Sequence, residues 1–286
     1  MKEHIGVESP FLQVTVDGVN LAYSDEGLGQ PVICLHATAQ GGRDFMYLRS
    51  KLRSISGIRV IVLDWPGHGR SGDDHEAFSA ERCERLLLKF LDQLHIDRPL
   101  LIGNSIGGAA ALRFAHAHPD RVKAVVACNP GGLAPINWVA RIFCSFMARV
   151  AVLGRRNSPL FKPIFGLFCR ALLRGPAAAE QRKRIIAAGK NNALVMQQAW
   201  VSFMQPSGDI RWMMPEIQRP VLFAWAKDDA VVSLKTSKAA IKRVPNHSLQ
   251  LFSGGHCAYL EAPDEFFTHL CNFLDRLRTS QLDHVK

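Results

Sequence analysis

The sequence predicts an α/β fold: a mostly parallel eight-stranded sheet flanked by helices, with a helical segment inserted after the sixth strand. Three observations predict it. Short, continuous apolar runs alternate with amphipathic helical stretches, as in parallel sheets covered on both faces. The conspicuous polar motifs stand at the carboxyl ends of those runs, where such sheets bind ligands. The alternation stops at Asn129-Pro130-Gly131-Gly132 and resumes at Val221.

In chain order, residues 11–16 and 19–24 alternate around Asp17-Gly18, a hairpin signal. Pro31–Leu35 is an apolar strand ending in His36-Ala37-Thr38, and Phe45, Leu48 and Leu52 give 44–55 a helical spacing. Arg59–Leu63 is a further buried strand, followed by Asp64-Trp65-Pro66-Gly67-His68-Gly69-Arg70-Ser71. Ser79 caps a helix to about Leu94, with Leu86, Leu87, Phe90 and Leu91 on its apolar face. Strand 100–103, helix 106–116 and strand 122–128 come next. Residues 134–212 read as three or four short helices broken at Pro159, Pro163, Gly175-Pro176 and Pro206. Strand 221–225, a helix near 236–242, strand 249–252 and a closing helix 264–278 complete the pattern. The expected organisation is therefore a core of 1–133 and 213–286, split by a helical, basic cap of 134–212.

With 286 residues, 48% of them hydrophobic, the chain can bury one large core. Its seven Cys lack Cys-x-x-Cys spacing, and an odd number precludes a complete disulfide framework, so a reducing compartment is expected. Met1–Pro10 holds no apolar core of signal-peptide length, and no apolar run is long enough to span a bilayer. The expectation is a cytoplasmic protein, at most peripheral at a membrane. Net charge is +10, and residues 134–212 carry twelve Lys and Arg against only Glu180 and Asp209. The excess positive charge thus belongs to the inserted segment.

Chemistry centres on Leu100-Leu101-Ile102-Gly103-Asn104-Ser105-Ile106-Gly107-Gly108. A strand turning straight into a helix brings backbone segments too close for side chains, hence Gly103 and Gly107. Ser105 between them is held in a strained turn at the tip of the sheet, facing the positive end of the following helix. A phosphate loop would need Lys-Ser/Thr after the last Gly, and a dinucleotide loop Gly-x-Gly-x-x-Gly; neither is present. A Ser hydroxyl becomes a nucleophile only beside a base that is itself held in one tautomer. His256, in Ser253-Gly254-Gly255-His256, follows a predicted strand and is the candidate base; Asp228-Asp229, after another strand, holds the candidate acid. Dense metal-ligand spacing such as His-Glu-x-x-His is missing, so neither metal nor cofactor is expected.

His36-Ala37-Thr38, Asp64-x-Pro-Gly-His-Gly-Arg-Ser71, Gly-Asn-Ser105-Ile-Gly-Gly, His118-Pro-Asp-Arg-Val122, Asp229 and Gly-His256 stand in one order along the chain. Outside the insertion the chain thereby resembles the α/β-hydrolase superfamily over nearly its whole length. The resemblance implies a Ser105–His256–Asp229 triad, with an oxyanion hole from the backbone N–H groups of Thr38 and Ile106. It favours Asp229 over Asp228, because the acid usually stands two or three residues before an apolar position. Asn129, at the other strand end that can hold the acid, cannot serve as an anion. Asp64, His36 and His68 read as braces of loops, and Cys257 as packing. The family usually has Gly where Ala37 stands, and a Cβ disfavours positive φ by about 1 kcal/mol, which predicts an oxyanion loop of different shape.

In 138–153, Trp138, Ile142, Phe146 and Leu153 with Phe143, Met147 and Val150 give a wide apolar face, and Arg141, Ser145 and Arg149 lie on another side. This predicts a cap helix packed on the core. The basic cap is also suited to contact an anionic membrane surface or an acyl carrier protein, whereas no nucleic-acid module is visible. A Phe- and Met-rich cap implies an apolar pocket. The leading expectation is a cofactor-independent serine hydrolase of a carboxylic ester or thioester with an apolar acyl group. Gly-Asn-Ser-Ile-Gly-Gly and Asn129-Pro-Gly-Gly-Leu133 are also similar to carbon–carbon bond hydrolases of ring-cleavage products, which typically carry Trp where Cys257 stands. A catalytically silent binding or receptor protein on the same fold is the third alternative.

Overall fold

The computed structural model describes residues 11–283, with side chains described through 279; the leader expectation for Met1–Pro10 lies outside them. Strand β1 (Leu12–Val16) turns into β2 (Val19–Gly27), and β3 (Gln30–Leu35) leads into helix α1 (Met46–Arg53). Then follow β4 (Ile58–Leu63), α2 (Ala80–Gln93), β5 (Leu100–Asn104), α3 (Ile106–Ala117) and β6 (Ala124–Cys128). Four helices intervene: α4 (Trp138–Arg155), α5 (Phe161–Leu172), α6 (Ala179–Ala188) and α7 (Ala193–Ser202). The chain closes with β7 (Val221–Ala226), α8 (Leu234–Ile241), β8 (His247–Phe252), α9 (Ala258–Glu261) and α10 (Pro263–Asp283).

The eight strands form one sheet in the order β1-β2-β4-β3-β5-β6-β7-β8. β1–β2 and β2–β4 pair antiparallel, and every later pair is parallel. Alternation along each strand divides the core in two. Ile33, Leu35 and Leu101 meet Leu86, Phe90 and Phe114 of α2 and α3 on one face. Val32, Cys34 and Ile102 meet Leu48, Phe266 and Leu270 of α1 and α10 on the other. Phe161, Phe165, Ile185 and Met196 of the inserted helices join this second core.

The register positions the site. Leu35 pairs with both Leu63 and Gly103, Asn104 with Cys128, Cys128 with Ala224, and Ala226 with Phe252. The residues that follow these pairs, His36, Asp64, Ser105, Asn129 and the loops after 226 and 252, therefore gather along one edge.

Two helical expectations are corrected. Pro163 does not break a helix: it is the third residue of α5, where the N–H has no intrahelical partner to lose. Helix α4 is not short, running 18 residues from an Asn137 cap whose side chain accepts from the Ala140 N–H. Its apolar residues occupy most of its circumference, but only one side meets the neighbouring α7. Cys144, Met147, Ala148, Val150 and Ala151 are buried there, while Trp138, Ile142 and Phe146 stay exposed. Among the described residues no helix is long and apolar enough to cross a membrane.

Candidate active site

Ser105 sits between β5 and α3 with φ +54° and ψ −113°, a conformation that L-residues avoid. Close packing enforces it. A Cβ on Gly103 would stand 2.3 Å from the Gly107 carbonyl oxygen, and one on Gly107 2.3 Å from that of Leu35. The turn is held by Ser105 N–H donating to Cys128 O (2.9 Å) and by Ala109 N–H (2.9 Å) and Gly131 N–H (3.2 Å) donating to Ser105 O.

Asp229 and His256 are brought together: imidazole Nδ1 lies 2.7 Å from Asp229 Oδ2, with 3% and 1% of the two side chains exposed. Asp229 Oδ1 accepts from the N–H groups of Val231 (2.7 Å) and Val232 (2.9 Å). Burial pushes the Asp229 carboxyl up, but the His256 ring and the hydrogen bonds from His256, Val232 and Val231 outweigh it and hold the carboxyl below its ordinary value. Asp228 is exposed and contributes its backbone N–H to Gly254 O (3.0 Å).

Asn129 proves to be more than a failed acid. Its Nδ2 donates to Asp229 Oδ2 (2.6 Å) and its Oδ1 accepts from Ala226 N–H (2.9 Å), so it positions the carboxylate. Asn104 ties the elbow to the histidine loop. In the amide orientation that satisfies both ends, its nitrogen donates to Cys128 O and His256 O, both at 3.1 Å. Its oxygen then faces the Cys257 sulfur at 2.9 Å, and the thiol donates to it. Cys257 is fully buried, and burial pushes its thiol well above the ordinary range, so it acts as a neutral linker.

Glu261 escaped the sequence reading. Its Oε2 accepts from the N–H groups of Gly255 (2.8 Å), His256 (3.1 Å) and Cys257 (3.3 Å), and its Oε1 from Arg174 (2.8 Å) and Gly175 (2.9 Å). One carboxylate thus anchors the histidine loop to the link between α5 and α6. Its place five residues after His256, in a Glu-Ala-Pro turn, was the available signal. Glu261→Gln puts an NH₂ among N–H donors and is expected to cost about 2 kcal/mol of stability, measured by chemical denaturation. It should also slow fluorophosphonate modification of the chain several-fold.

The loop after β3 is braced by two buried histidines. His36 donates from Nδ1 to Ala37 O (2.8 Å) and accepts Trp65 N–H at Nε2 (2.9 Å). His68 donates to Pro66 O (2.9 Å) and accepts Ala39 N–H (3.1 Å). The positive φ falls on Ala39 (+63°), not on Ala37. Ala39 N–H and Gln40 N–H are engaged, and Thr38 N–H between them and its neighbour Ala37 finds no acceptor among the described residues. Ile106 N–H is the first orphan donor of α3. Asp64 accepts Gly42 N–H (2.6 Å) and Arg70 N–H (3.2 Å), fastening the next loop.

Burial pushes His36 down to about 4 and, with the nearby His36 ring, His68 down to about 3. Both histidines are neutral when folded but protonate near 6.5 when unfolded, so their contribution is complete above that value and is lost as pH falls toward 3–4. At about pH 5 each should have withdrawn about 2 kcal/mol. In His68→Gln, the loss of unfolding free energy between about pH 7 and about pH 5 should be smaller by that amount.

A strained serine elbow and a buried Asp–His pair at the carboxyl edge of a mostly parallel sheet define an α/β hydrolase. The profile of the alpha/beta hydrolase family matches residues 32–269, and the chain belongs to that family of hydrolases. It is 29% identical to a 2-hydroxy-6-oxo-6-phenylhexa-2,4-dienoate hydrolase of Burkholderia cepacia, over 93% of this chain and 96% of that protein. A protein of the same name from Comamonas testosteroni is 30% identical, over 88% and 90%. Among solved structures, Est816, described as an N-acyl homoserine lactone degrading enzyme, superposes with a TM-score of 0.72 at 25% identity, covering 92% of this chain and 100% of that one.

Proposed function

We propose that the chain is a cofactor-independent serine hydrolase of carboxylic esters or thioesters with an apolar acyl group. The reading rests on the Asp229–His256 hydrogen bond beside the Ser105 elbow. In this reaction Ser105 Oγ attacks the acyl carbonyl while His256 Nε2 takes its proton, and Asp229 holds Nδ1–H and offsets the imidazolium charge. The N–H groups of Thr38 and Ile106 receive the oxyanion. His256 returns the proton to the leaving alcohol or thiol, and water, activated by the same ring, releases the acid.

Support for an apolar acyl group comes from the inserted helices acting as a cap. Phe203 packs so tightly on Gly131 that a Cβ there would meet its ring at 2.5 Å, and Gly131 N–H bonds the Ser105 carbonyl. Trp200 contacts Phe203, Phe143 and Phe168 at centroid separations of 6.3, 5.5 and 6.0 Å. All four rings are half-buried, a wall that an acyl chain can complete.

The names of the full-length relatives favour a second reading, hydrolysis of a carbon–carbon bond in a dienoate ring-cleavage product. Parallel assays of nitrophenyl esters of increasing chain length, an N-acyl homoserine lactone and a phenylhexadienoate separate the two. The ester reading expects kcat/KM to rise with acyl length and to exceed that on the dienoate. Turnover of the dienoate alone overturns it.

A further inference from the structure

Helix α4 buries one side on α7 and leaves the other bare. Trp138 is 72% exposed, Val139 52%, Ile142 61% and Phe146 52%. At 3.6 residues per turn, Trp138, Arg149 and Arg156 fall on one line along the helix. Ile142 and half-buried Leu153 fall on the next line, and Val139 and Phe146 just beyond it. The exposed side is therefore an apolar strip with a cationic edge. Arg149 and Arg156 are exposed, and among the described residues neither is ion-paired, nor are Arg141, Lys162 and Arg170 of the same insertion. Contiguous exposed apolar side chains mark a contact surface.

We propose that the outer face of α4 docks in the interface of an anionic phospholipid bilayer. Ile142, Phe146 and Val139 enter the acyl boundary, the Trp138 ring sits at headgroup depth, and Arg149 and Arg156 meet the phosphate groups. The charge selects this occupant over a second copy of the chain: residues 134–212 hold twelve Lys and Arg against two acids, so two such faces repel each other. A bilayer surface of opposite sign instead attracts the whole segment. Phe143, on the flank of the same helix, belongs to the aromatic group around Trp200, so a docked α4 sets that group beside the lipid. The docking stands apart from the reaction proposed above, and its test reads no turnover.

Flotation with vesicles of equal parts phosphatidylcholine and phosphatidylglycerol should recover the protein, and vesicles of phosphatidylcholine alone should recover far less. Arg149→Gln should lower partitioning about fivefold, as expected for one interfacial charge. Ile142→Ser with Phe146→Ser should lower it at least about tenfold. Both variants alter exposed side chains, so an unchanged melting temperature separates loss of docking from loss of fold. Equal recovery on both vesicles, recovery on neither, or full recovery of the serine variant would overturn the proposal. So would a concentration-dependent dimer in size-exclusion chromatography that the serine variant abolishes, which would assign the face to self-association.

Discussion

Ser105→Ala is expected to fold normally, to lose turnover about a million-fold, and to gain no mass from a fluorophosphonate that modifies the parent chain once. The fold should survive because the Ser105 side chain makes no capping hydrogen bond to α3; the turn is held by the backbone at 105 and by Gly103 and Gly107. Chemistry should vanish because no neighbouring group replaces the hydroxyl: the Cys257 thiol, next to His256 in sequence, is fully buried and engaged with Asn104. Intact-mass measurement with a parallel ester assay reads both effects. An adduct on the Ala variant, or retained turnover, would place the nucleophile elsewhere.

Asp229→Asn should cost about ten-thousand-fold in kcat, and Asp228→Asn little. Every group around the Asp229 carboxylate is a donor: Val231 and Val232 N–H toward Oδ1, Asn129 Nδ2 and His256 Nδ1–H toward Oδ2. An amide in that place turns its NH₂ toward one pair of donors. Facing His256, it selects the tautomer protonated at Nε2, which cannot accept the Ser105 proton. Asp228 is exposed, and its contact with Gly254 is through the backbone and is indifferent to the side chain. Steady-state kinetics on the best ester decide the matter, and the reverse ranking would overturn the assignment.

These two variants touch what was legible and what was not. The elbow could be read from Gly103-Asn104-Ser105-Ile106-Gly107 because its constraint is local: backbone atoms collide unless two positions lack a Cβ. Ser79 as a helix cap was legible for the same reason, its side chain accepting Arg82 N–H three residues on. By its charge Asn129 cannot be the acid, yet it is the amide donor that completes the Asp229 cage. Glu261 reads like any surface acid, since the five N–H groups it accepts come from two segments about eighty residues apart in the chain.

The sequence by itself determined the strand and helix alternation, the serine turn, and the placing of Asp228-Asp229 and His256 in loops that follow strands. Each follows from side-chain periodicity and backbone sterics within a few neighbouring residues. Tertiary structure alone decided which of two adjacent carboxylates meets the imidazole, which carboxylate clamps the histidine loop, and which side of α4 is left bare. Those outcomes depend on contacts between segments that only the assembled sheet and its inserted helices bring together.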